Sequence, residues 1–263
     1  MIRVLVSGSG KMGRTIIDAL DAADGIEPVG VVDKLAPATT IGLASGRELP
    51  LANDAGAALD ATKPDVVIDF TNAAWTPVLT EAALRRGIRP VIGTTGLPKE
   101  YVDGLTRECR ERKIGGVLAA NFAIGAVLLM HMAKIASRFF DAAEIIELHH
   151  DQKVDAPSGT AIATAQGMIE ARGGRPFTRN EPDAQTIAGT RAGSVDGITI
   201  HSVRLPGLVA HQEVLFGGVG QTLSIRHDST GRDSFMPGIV LATREVMRRD
   251  ELIVGLDALF GLT

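Results

Sequence analysis

Short apolar runs of strand length alternate with helix-length segments through the first half of the chain. The runs at residues 2–6, 29–32, 66–70, 90–92 and 117–119 predict strands, and the segments that follow residue 13 and cover 75–86 and 99–113 predict helices. Strands that alternate with helices in this way form parallel sheets with right-handed crossovers. Residues 1–122 are therefore predicted to form one α/β domain.

The pattern changes after Phe122. A helix-like run at 126–140 leads into an apolar strand at 143–148, and the segments 198–204, 213–216 and 221–227 alternate apolar and polar residues. Such alternation is typical of a sheet with one covered and one open face. We predict a second domain over residues 123–235. The apolar spacing of residues 236–263 predicts a C-terminal helix that packs back on the first domain.

A glycine-rich turn directly follows the first predicted strand. Residues 8–13 read G-x-G-x-x-G between a strand and a helix, which is the context in which this pattern binds a dinucleotide. Gly8 permits the tight turn, Gly10 lets the backbone approach a pyrophosphate, and Gly13 lets the helix pack on the strand. A P-loop is excluded, because Met12 stands where Ser or Thr is required and Leu5 where the first glycine is required.

These patterns define the predicted fold class. It is α/β, with an N-terminal Rossmann-like dinucleotide-binding domain and an α+β substrate domain that contains a mixed, partly open-faced sheet.

Asp33 ends the second predicted strand, about 20 residues after the glycine turn, where a carboxylate would accept a hydrogen bond from the adenosine ribose. Lys34 beside it is a cation that can pair with a 2′-phosphate. NADH and NADPH are therefore both expected to be usable, with the preference left open. Gly93, Thr94, Thr95 and Asn121 follow later strands at the edge where such sheets bind ligands, although turns and helix caps explain these residue types equally well.

Ionisable side chains are concentrated between residues 149 and 155. His149, His150 and Lys153 precede Pro157 and Ser158, which predict a helix N-terminus that favours an anion such as a carboxylate. Reduction of an electrophilic carbon by hydride needs a proton donor, and His or Lys can supply the proton near neutral pH. The cations can also hold carboxylates before reaction. Asp155 is expected to orient the loop or to help order Lys153.

Adjacent histidines also suggest a metal site. Neighbours on a strand point to opposite faces, however, and neither a cysteine nor a helical histidine pair is nearby to complete the site. We therefore predict no metal. The remaining histidines are interpreted as structural, with no role assigned: His131, His201, His211 and His227.

Composition narrows the class of protein. The 263 residues are 45% apolar and 22% charged, as in ordinary globular proteins, and the net charge of −4 offers no basic surface for nucleic acid or an anionic membrane. The apolar stretch 114–132 is interrupted by Asn121 and His131, so we interpret it as a buried strand, a loop and a buried helix. The single Cys109 cannot form an internal disulfide, and no signal sequence is recognised, which favours the cytoplasm.

The segment from Glu147 to Ala161 resembles the signature of the 4-hydroxy-tetrahydrodipicolinate reductase family, also called dihydrodipicolinate reductase, of lysine and diaminopimelate biosynthesis. The resemblance covers the whole chain in order: the glycine turn, residues 69–71, 93–96 and 120–122, Gly125 and the closing helix. Many family members read G-x-x-G-x-x-G, whereas Ser7 stands at the first of those glycines here. This departure bears on the geometry of the phosphate loop.

The resemblance implies reduction of 4-hydroxy-tetrahydrodipicolinate, via dihydrodipicolinate, to tetrahydrodipicolinate with NADH or NADPH. It implies that His149 is the proton donor or acceptor, that Lys153 is a second proton donor, and that the substrate carboxylates bind at His150, Ser158, Gly159 and Thr160. It also implies a homotetramer built through the sheets of the second domains. The implied cofactor contacts are Gly8, Ser9, Gly10, Lys11, Met12, Gly13, Asp33, Lys34, Gly93, Thr94, Thr95, Ala119, Ala120, Asn121 and Phe122.

Two alternatives stay open at this point. One is a reductase of the same build that acts on another small imine or amino-acid-derived acid. The other is a dinucleotide-sensing module without turnover, which would need binding but no proton donor.

Overall fold

A computed structural model of the chain describes residues 1–36 and 39–262, so Thr263, the last residue of the predicted C-terminal helix, lies outside the described residues. The strands are β1 (Ile2–Ser7), β2 (Ile26–Val32), β3 (Thr40–Gly42), β4 (Glu48–Ala52), β5 (Val66–Asp69), β6 (Arg89–Ile92), β7 (Gly116–Leu118), β8 (Ala142–His149), β9 (Gly193–Val195), β10 (Ile198–Arg204), β11 (Ala210–Gly218), β12 (Gln221–Ser229) and β13 (Leu252–Val254). The α-helices are α1 (Lys11–Asp21), α2 (Ala55–Thr62), α3 (Thr76–Leu84), α4 (Lys99–Arg112), α5 (Ile124–Ala136), α6 (Gly159–Ala171) and α7 (Met236–Glu245).

The chain divides into two compact units. Unit 1 contains Met1–Phe122 and the chain from Arg232 onward, and unit 2 contains Ala123–Gly231. The sheet of unit 1 has the order β13-β7-β6-β5-β1-β2-β4-β3. Among these pairs only β3 and β4 are antiparallel in the described residues. Strand order reverses at β1, because β2 lies on one side and β5 on the other. The loop after β1 therefore lies at a topological switch point, where such sheets bind ligands.

The central strands of unit 1 are buried on both faces. Val4, Leu5 and Val6 of β1 have no exposed surface. One apolar cluster joins β1 and β5 to α2 and α3, and another joins β6 and β7 to α4. Double coverage explains why these strands are continuous apolar runs in the sequence instead of alternating patterns.

Unit 2 is a five-stranded sheet with helices on one face. Its order is β12-β11-β8-β10-β9, and β8 pairs in parallel with β10 but antiparallel with β11. Residues of β8 alternate, so that Ala143, Ile145 and Glu147 are buried. α5 and α6 contribute to the apolar core on that face. The predicted fold class, α/β with a mixed second sheet, is confirmed.

The prediction of one helix over residues 236–263 is wrong beyond Glu245. Leu252–Val254 form β13, which pairs in parallel with β7 and adds an edge strand to the sheet of unit 1. A run of three apolar residues fits a helix face and a short strand equally well, so periodicity cannot separate them. The segment forms a strand because the edge of β7 offers backbone hydrogen-bond partners. The apolar stretch 114–132 forms β7, a loop and α5, as predicted.

No helix in residues 1–36 and 39–262 combines the length and apolar character that membrane crossing requires.

Candidate active site

The turn between β1 and α1 requires glycine at two positions. Gly8 adopts a φ of +97°, and its N–H donates to the carbonyl of Val32 at 2.8 Å. A Cβ at Gly13 would lie 1.9 Å from the carbonyl oxygen of Gly8, so any side chain there would clash with the backbone. The turn and the first turn of α1 are thus in direct contact, which fits the function predicted for these glycines.

The N-terminus of α1 is open to an anion. The N-cap residue, Gly10, has no side chain to accept from the N–H groups of the first turn, and a Cβ built on it would meet no atom within 4 Å. Lys11 is exposed beside it. Unpaired N–H groups and the helix dipole both favour a phosphate at such an end. This backbone fits the pyrophosphate of a dinucleotide.

Asp33 is held in place by the turn. The N–H and hydroxyl of Ser9 both donate to its Oδ2, at 2.8 and 2.6 Å, and the N–H of Leu35 donates to its Oδ1 at 3.0 Å. Burial alone would raise the pKa of Asp33, but these hydrogen bonds hold it below its usual range. The carboxylate is therefore ionised and can accept from a ribose hydroxyl.

A cavity of about 430 Å³ adjoins Gly8 and Asp33. Leu35 and Val78 contribute exposed apolar surface to its lining, and the indole Nε1 of Trp75 donates to the hydroxyl of Ser7 at 2.9 Å. This volume is in the range of small-ligand pockets. An apolar wall beside a carboxylate suits a nucleoside, whose base is flat and whose ribose carries hydroxyls.

Asp69 organises the loops after β5 and β6. Its buried carboxylate accepts from the hydroxyls of Thr71 at 2.6 Å, Thr76 at 2.5 Å and Thr94 at 3.0 Å. The hydroxyl of Thr94 also accepts from the N–H of Thr71. The Thr94 side chain therefore connects two loops, and Thr95 is the exposed hydroxyl of the predicted pair.

The remaining predicted cofactor residues differ in exposure. A Cβ at Gly93 would overlap the ring of Phe70, and Phe70 in turn contacts Phe122 with ring centroids 5.1 Å apart. Phe122 and Ala119 are buried, whereas Ala120 is exposed and Asn121 is half-buried. The ring of Phe122 belongs to the core, so a ligand could meet this residue only through its backbone.

In unit 2, His149 ends β8 beside a buried carboxylate. Its Nδ1 lies 2.5 Å from Oε2 of Glu147, which has no exposed surface. Arg204 of β10 binds both oxygens of Glu147, at 2.9 and 2.8 Å. Burial alone would raise the pKa of Glu147, but hydrogen bonds from His149, Arg204 and Ser202 lower it to about 2. An ionised Glu147 can only accept, so Nδ1 of His149 carries the proton and Nε2 faces away from Glu147.

The loop after β8 carries Lys153. Its Nζ donates to Oδ1 of Asp155 at 2.6 Å, and this contact is consistent with the expectation that Asp155 helps to order Lys153. Arg204 donates to the carbonyl of Asp155 at 2.6 Å, which ties the same loop to β10. The hydrogen bond from Lys153 lowers the pKa of Asp155. Lys153 is thus held by a charged partner that is itself half exposed.

The N-terminus of α6 follows this loop. Ser158 is its buried N-cap, and its hydroxyl accepts from the N–H of Ala161 at 3.2 Å. The N–H of Ser158 donates to Oε1 of Glu147 at 3.2 Å. Gly159 is exposed and Thr160 is half-buried, so the first peptides of the helix border solvent. A helix end of this kind favours an anion, and the binding of a carboxylate here stays a prediction.

Three of the other histidines, His201, His211 and His227, have carboxylate or packing contacts. His201 lies 2.7 Å from Glu144, and His211 lies 2.7 Å from Asp228. A Cβ at Gly125 would lie 2.4 Å from the ring of His227, so that ring packs against the start of α5. Across the described ranges, no three His, Cys, Asp or Glu side chains are grouped so that they could hold a metal ion.

Sequence reasoning assigned no role to Glu147, Arg204 or Asp69. One signal was present: alternation along β8 places Glu147 on the same face as Ala143 and Ile145. A carboxylate on an apolar face must be paired when it is buried. The identity of the partner depends on the register of β8 with β10, which the sequence does not reveal.

Two family models match almost the whole chain. The model described as dihydrodipicolinate reductase, N-terminus, covers residues 2–122, and the model described as dihydrodipicolinate reductase, C-terminus, covers residues 125–260. The chain is 46% identical over 264 residues to the 4-hydroxy-tetrahydrodipicolinate reductase of Moorella thermoacetica, with 98% of this chain and 97% of the relative covered. It is 47% identical over 261 residues to the protein of the same name from Geobacillus kaustophilus, with 97% and 98% covered.

Solved structures agree with these relatives. A dipicolinate-bound dihydrodipicolinate reductase from a Paenisporosarcina species superposes with a TM-score of 0.88 at 42% identity, covering 98% of this chain and 99% of that one. An amine dehydrogenase from Mycobacterium smegmatis shares the fold, with a TM-score of 0.67 at 15% identity, covering 97% and 95% of the two chains. The family predicted from residues 147–161 is confirmed. The chain belongs to the dihydrodipicolinate reductase family.

Proposed function

We propose that this chain reduces 4-hydroxy-tetrahydrodipicolinate, by way of dihydrodipicolinate, to tetrahydrodipicolinate in lysine and diaminopimelate biosynthesis. One observation carries the proposal: the buried carboxylate of Glu147 binds both His149 and the N–H of Ser158, the N-cap residue of α6. A proton donor and an anion-binding helix end are thereby held in one hydrogen-bonded group. A sensor that only binds a dinucleotide would need neither.

The substrate carboxylates are assigned to the start of α6 and to His150. The N–H groups of Gly159 and Thr160 lie in the first turn, and Gly159 has no side chain to block an approaching carboxylate. Ser158 supports this turn as its N-cap. His150 is exposed and supplies a hydrogen-bond donor to the second carboxylate. Two anionic groups on one ring explain why two separate donors are needed.

NADH or NADPH supplies hydride when bound. The pyrophosphate is assigned to the backbone of residues 8–13, with Ser9, Lys11 and Met12 beside it, and the ribose to Asp33. Lys34 is exposed next to Asp33 and offers a charge for a 2′-phosphate, so both cofactors are expected to work. The nicotinamide half is assigned to the loops after β6 and β7, at Gly93, Thr94, Thr95, Ala119, Ala120, Asn121 and Phe122.

Proton transfer is assigned to His149, with Lys153 as a second donor. The reduced ring gains one hydride at C4 and one proton, and a side chain placed within reach can supply that proton. Nδ1–H of His149 is bound to Glu147, so the ring donates in its imidazolium form: the Nε2–H proton passes to the substrate and the neutral Nδ1–H ring is left behind. The hydrogen bond from its Nζ to Oδ1 of Asp155 holds the Lys153 side chain within the loop after β8.

A homotetramer through the open face of the second sheet is the proposed assembly. Ile146, Leu148 and Leu215 point to the face of the sheet opposite the α5 and α6 core, and they are only half-buried in one chain. Packing such faces against copies would remove this apolar surface from water.

The cytoplasm is the proposed compartment. Cys109 is the only cysteine of the chain, so the fold uses no internal disulfide. Burial raises the pKa of its thiol to about 11, which makes it unreactive. Both features suit a reducing compartment.

Titration with NADH and NADPH, followed by oxidation assays with freshly made 4-hydroxy-tetrahydrodipicolinate, tests the proposal. We expect saturable binding of both cofactors and oxidation that depends on the dicarboxylate. Asp33→Ala should weaken NADH more than NADPH, because only the free 2′-hydroxyl needs an acceptor. Binding without oxidation would favour a sensor, and an equal loss for both cofactors would remove Asp33 from the ribose site.

A further inference from the structure

Glu147 connects parts of unit 2 that are distant in sequence. Its two oxygens lie within hydrogen-bond distance of His149, of the N–H of Ser158 and of both terminal nitrogens of Arg204. Arg204 also donates to the carbonyl of Asp155 and to its own neighbour, Val203. The strand end, the loop that carries Lys153 and the start of α6 therefore meet at one ion pair.

A buried carboxylate is costly unless each oxygen is well paired, and here every neighbour of Glu147 is a donor. Arg204 neutralises the charge with a bidentate contact, which fixes both the distance and the plane of the carboxylate. The positions left on the two oxygens then point at His149 and at Ser158. The direction of the His149 ring is thus set by an anchored group instead of by solvent.

We propose that Glu147 and Arg204 are positioning residues for the reduction. Glu147 sets the tautomer and the direction of the His149 ring, and Arg204 holds the loop that carries Lys153. The inference rests on the proposed function, because it takes His149 to be the proton donor. With Nδ1–H committed to Glu147, proton exchange with substrate is confined to Nε2. Neither Glu147 nor Arg204 needs to touch the substrate.

The decisive variant is Glu147→Gln in the full chain. The amide keeps the size of the side chain, but its NH₂ group replaces an oxygen that accepts hydrogen bonds. That NH₂ group must then face a group that is itself a donor in the wild type: Arg204, His149 or the N–H of Ser158. If it donates to Nδ1 of His149, the ring adopts the other tautomer. We expect kcat to fall by about ten- to a hundred-fold, the range for lost supporting hydrogen bonds, with the KM for NADPH changed less than about twofold.

Glu144→Gln is the matched control. Glu144 lies on the same strand and also contacts an arginine and a histidine, Arg191 and His201, but it has no contact with His149 in the described residues. We expect its kcat to stay within about twofold of wild type. The native mass and thermal midpoint of every variant are measured, so that misfolding or altered assembly is detected.

The solvent deuterium isotope effect on kcat separates positioning from a purely structural role. When proton delivery slows in Glu147→Gln, the effect of D₂O should rise, while the effect of deuterium on the transferred hydride should fall. A variant that only lowers the amount of folded enzyme would change neither the solvent isotope effect nor the isotope effect on the transferred hydride. Arg204→Lys should retain more activity than Arg204→Met, because it keeps the charge beside Glu147.

His149→Gln distinguishes failure of the inference from failure of the proposed function. Near-normal kcat in His149→Gln would overturn the proton-donor assignment itself. A large loss in His149→Gln with near-normal kcat in folded Glu147→Gln would overturn the positioning role alone. If Glu147 acts through His149, the double variant should be no slower than His149→Gln, whereas additive losses would contradict the inference.

Discussion

Glu147 and Glu144 show how burial changes the role of the same type of side chain. Both lie on β8 and both contact an arginine and a histidine, yet Glu144 is on the open face and Glu147 has no exposed surface. Exposed ion pairs are screened by water and contribute little, whereas removal of one partner of a buried pair leaves an uncompensated charge. Of the two glutamates, Glu147 is therefore the one expected to control local structure.

Acid should weaken the contribution of Glu147 to stability. Its pKa in the folded chain is about 2, below the ordinary 4.5, so its stabilisation is present above pH 4.5 and is lost as the pH falls toward 2. The full effect of such a shift is about 3 kcal/mol. We expect the difference in thermal midpoint between wild type and Glu147→Gln to narrow as the pH is lowered from about 5 to about 3. A difference that is independent of pH would contradict this assignment.

At the scale of elements, local requirements could be predicted and long-range pairings could not. The turn between β1 and α1 was predictable, because the clash that a side chain at position 13 would make with the backbone of Gly8 depends only on nearby residues. The bond between Glu147 and Arg204 spans 57 positions and depends on the parallel register of β8 and β10. The same reason explains β13, whose three residues become a strand only because β7 offers an edge.

The two glycines of the turn should respond differently to alanine. A Cβ at Gly10 meets no protein atom within 4 Å, so Gly10→Ala should keep the thermal midpoint and weaken NADPH binding by about tenfold or more, because the methyl group blocks the phosphate. Gly13→Ala should lower the midpoint as well, because its Cβ would overlap the carbonyl of Gly8. Thermal unfolding and cofactor titration of both variants check this. A normal midpoint in Gly13→Ala would contradict it.

At the scale of the whole molecule, the two parts of the proposed chemistry belong to different units. The dinucleotide turn and Asp33 belong to unit 1, and His149, Lys153 and α6 belong to unit 2. The division at residue 122 coincides with a change from continuous to alternating apolar patterns in the sequence. The composition carries little of this information, since a net charge of −4 argues against a nucleic-acid ligand but does not identify the substrate.

The most direct measurement is the turnover of His149→Ala beside that of His131→Ala, with NADPH and 4-hydroxy-tetrahydrodipicolinate both saturating. His131 lies on α5 of the same unit and has no role in the proposed site. We predict that His149→Ala loses about two decades or more of kcat while its affinity for NADPH stays within about twofold, and that His131→Ala keeps near-normal kcat. Near-normal kcat in His149→Ala would contradict the account.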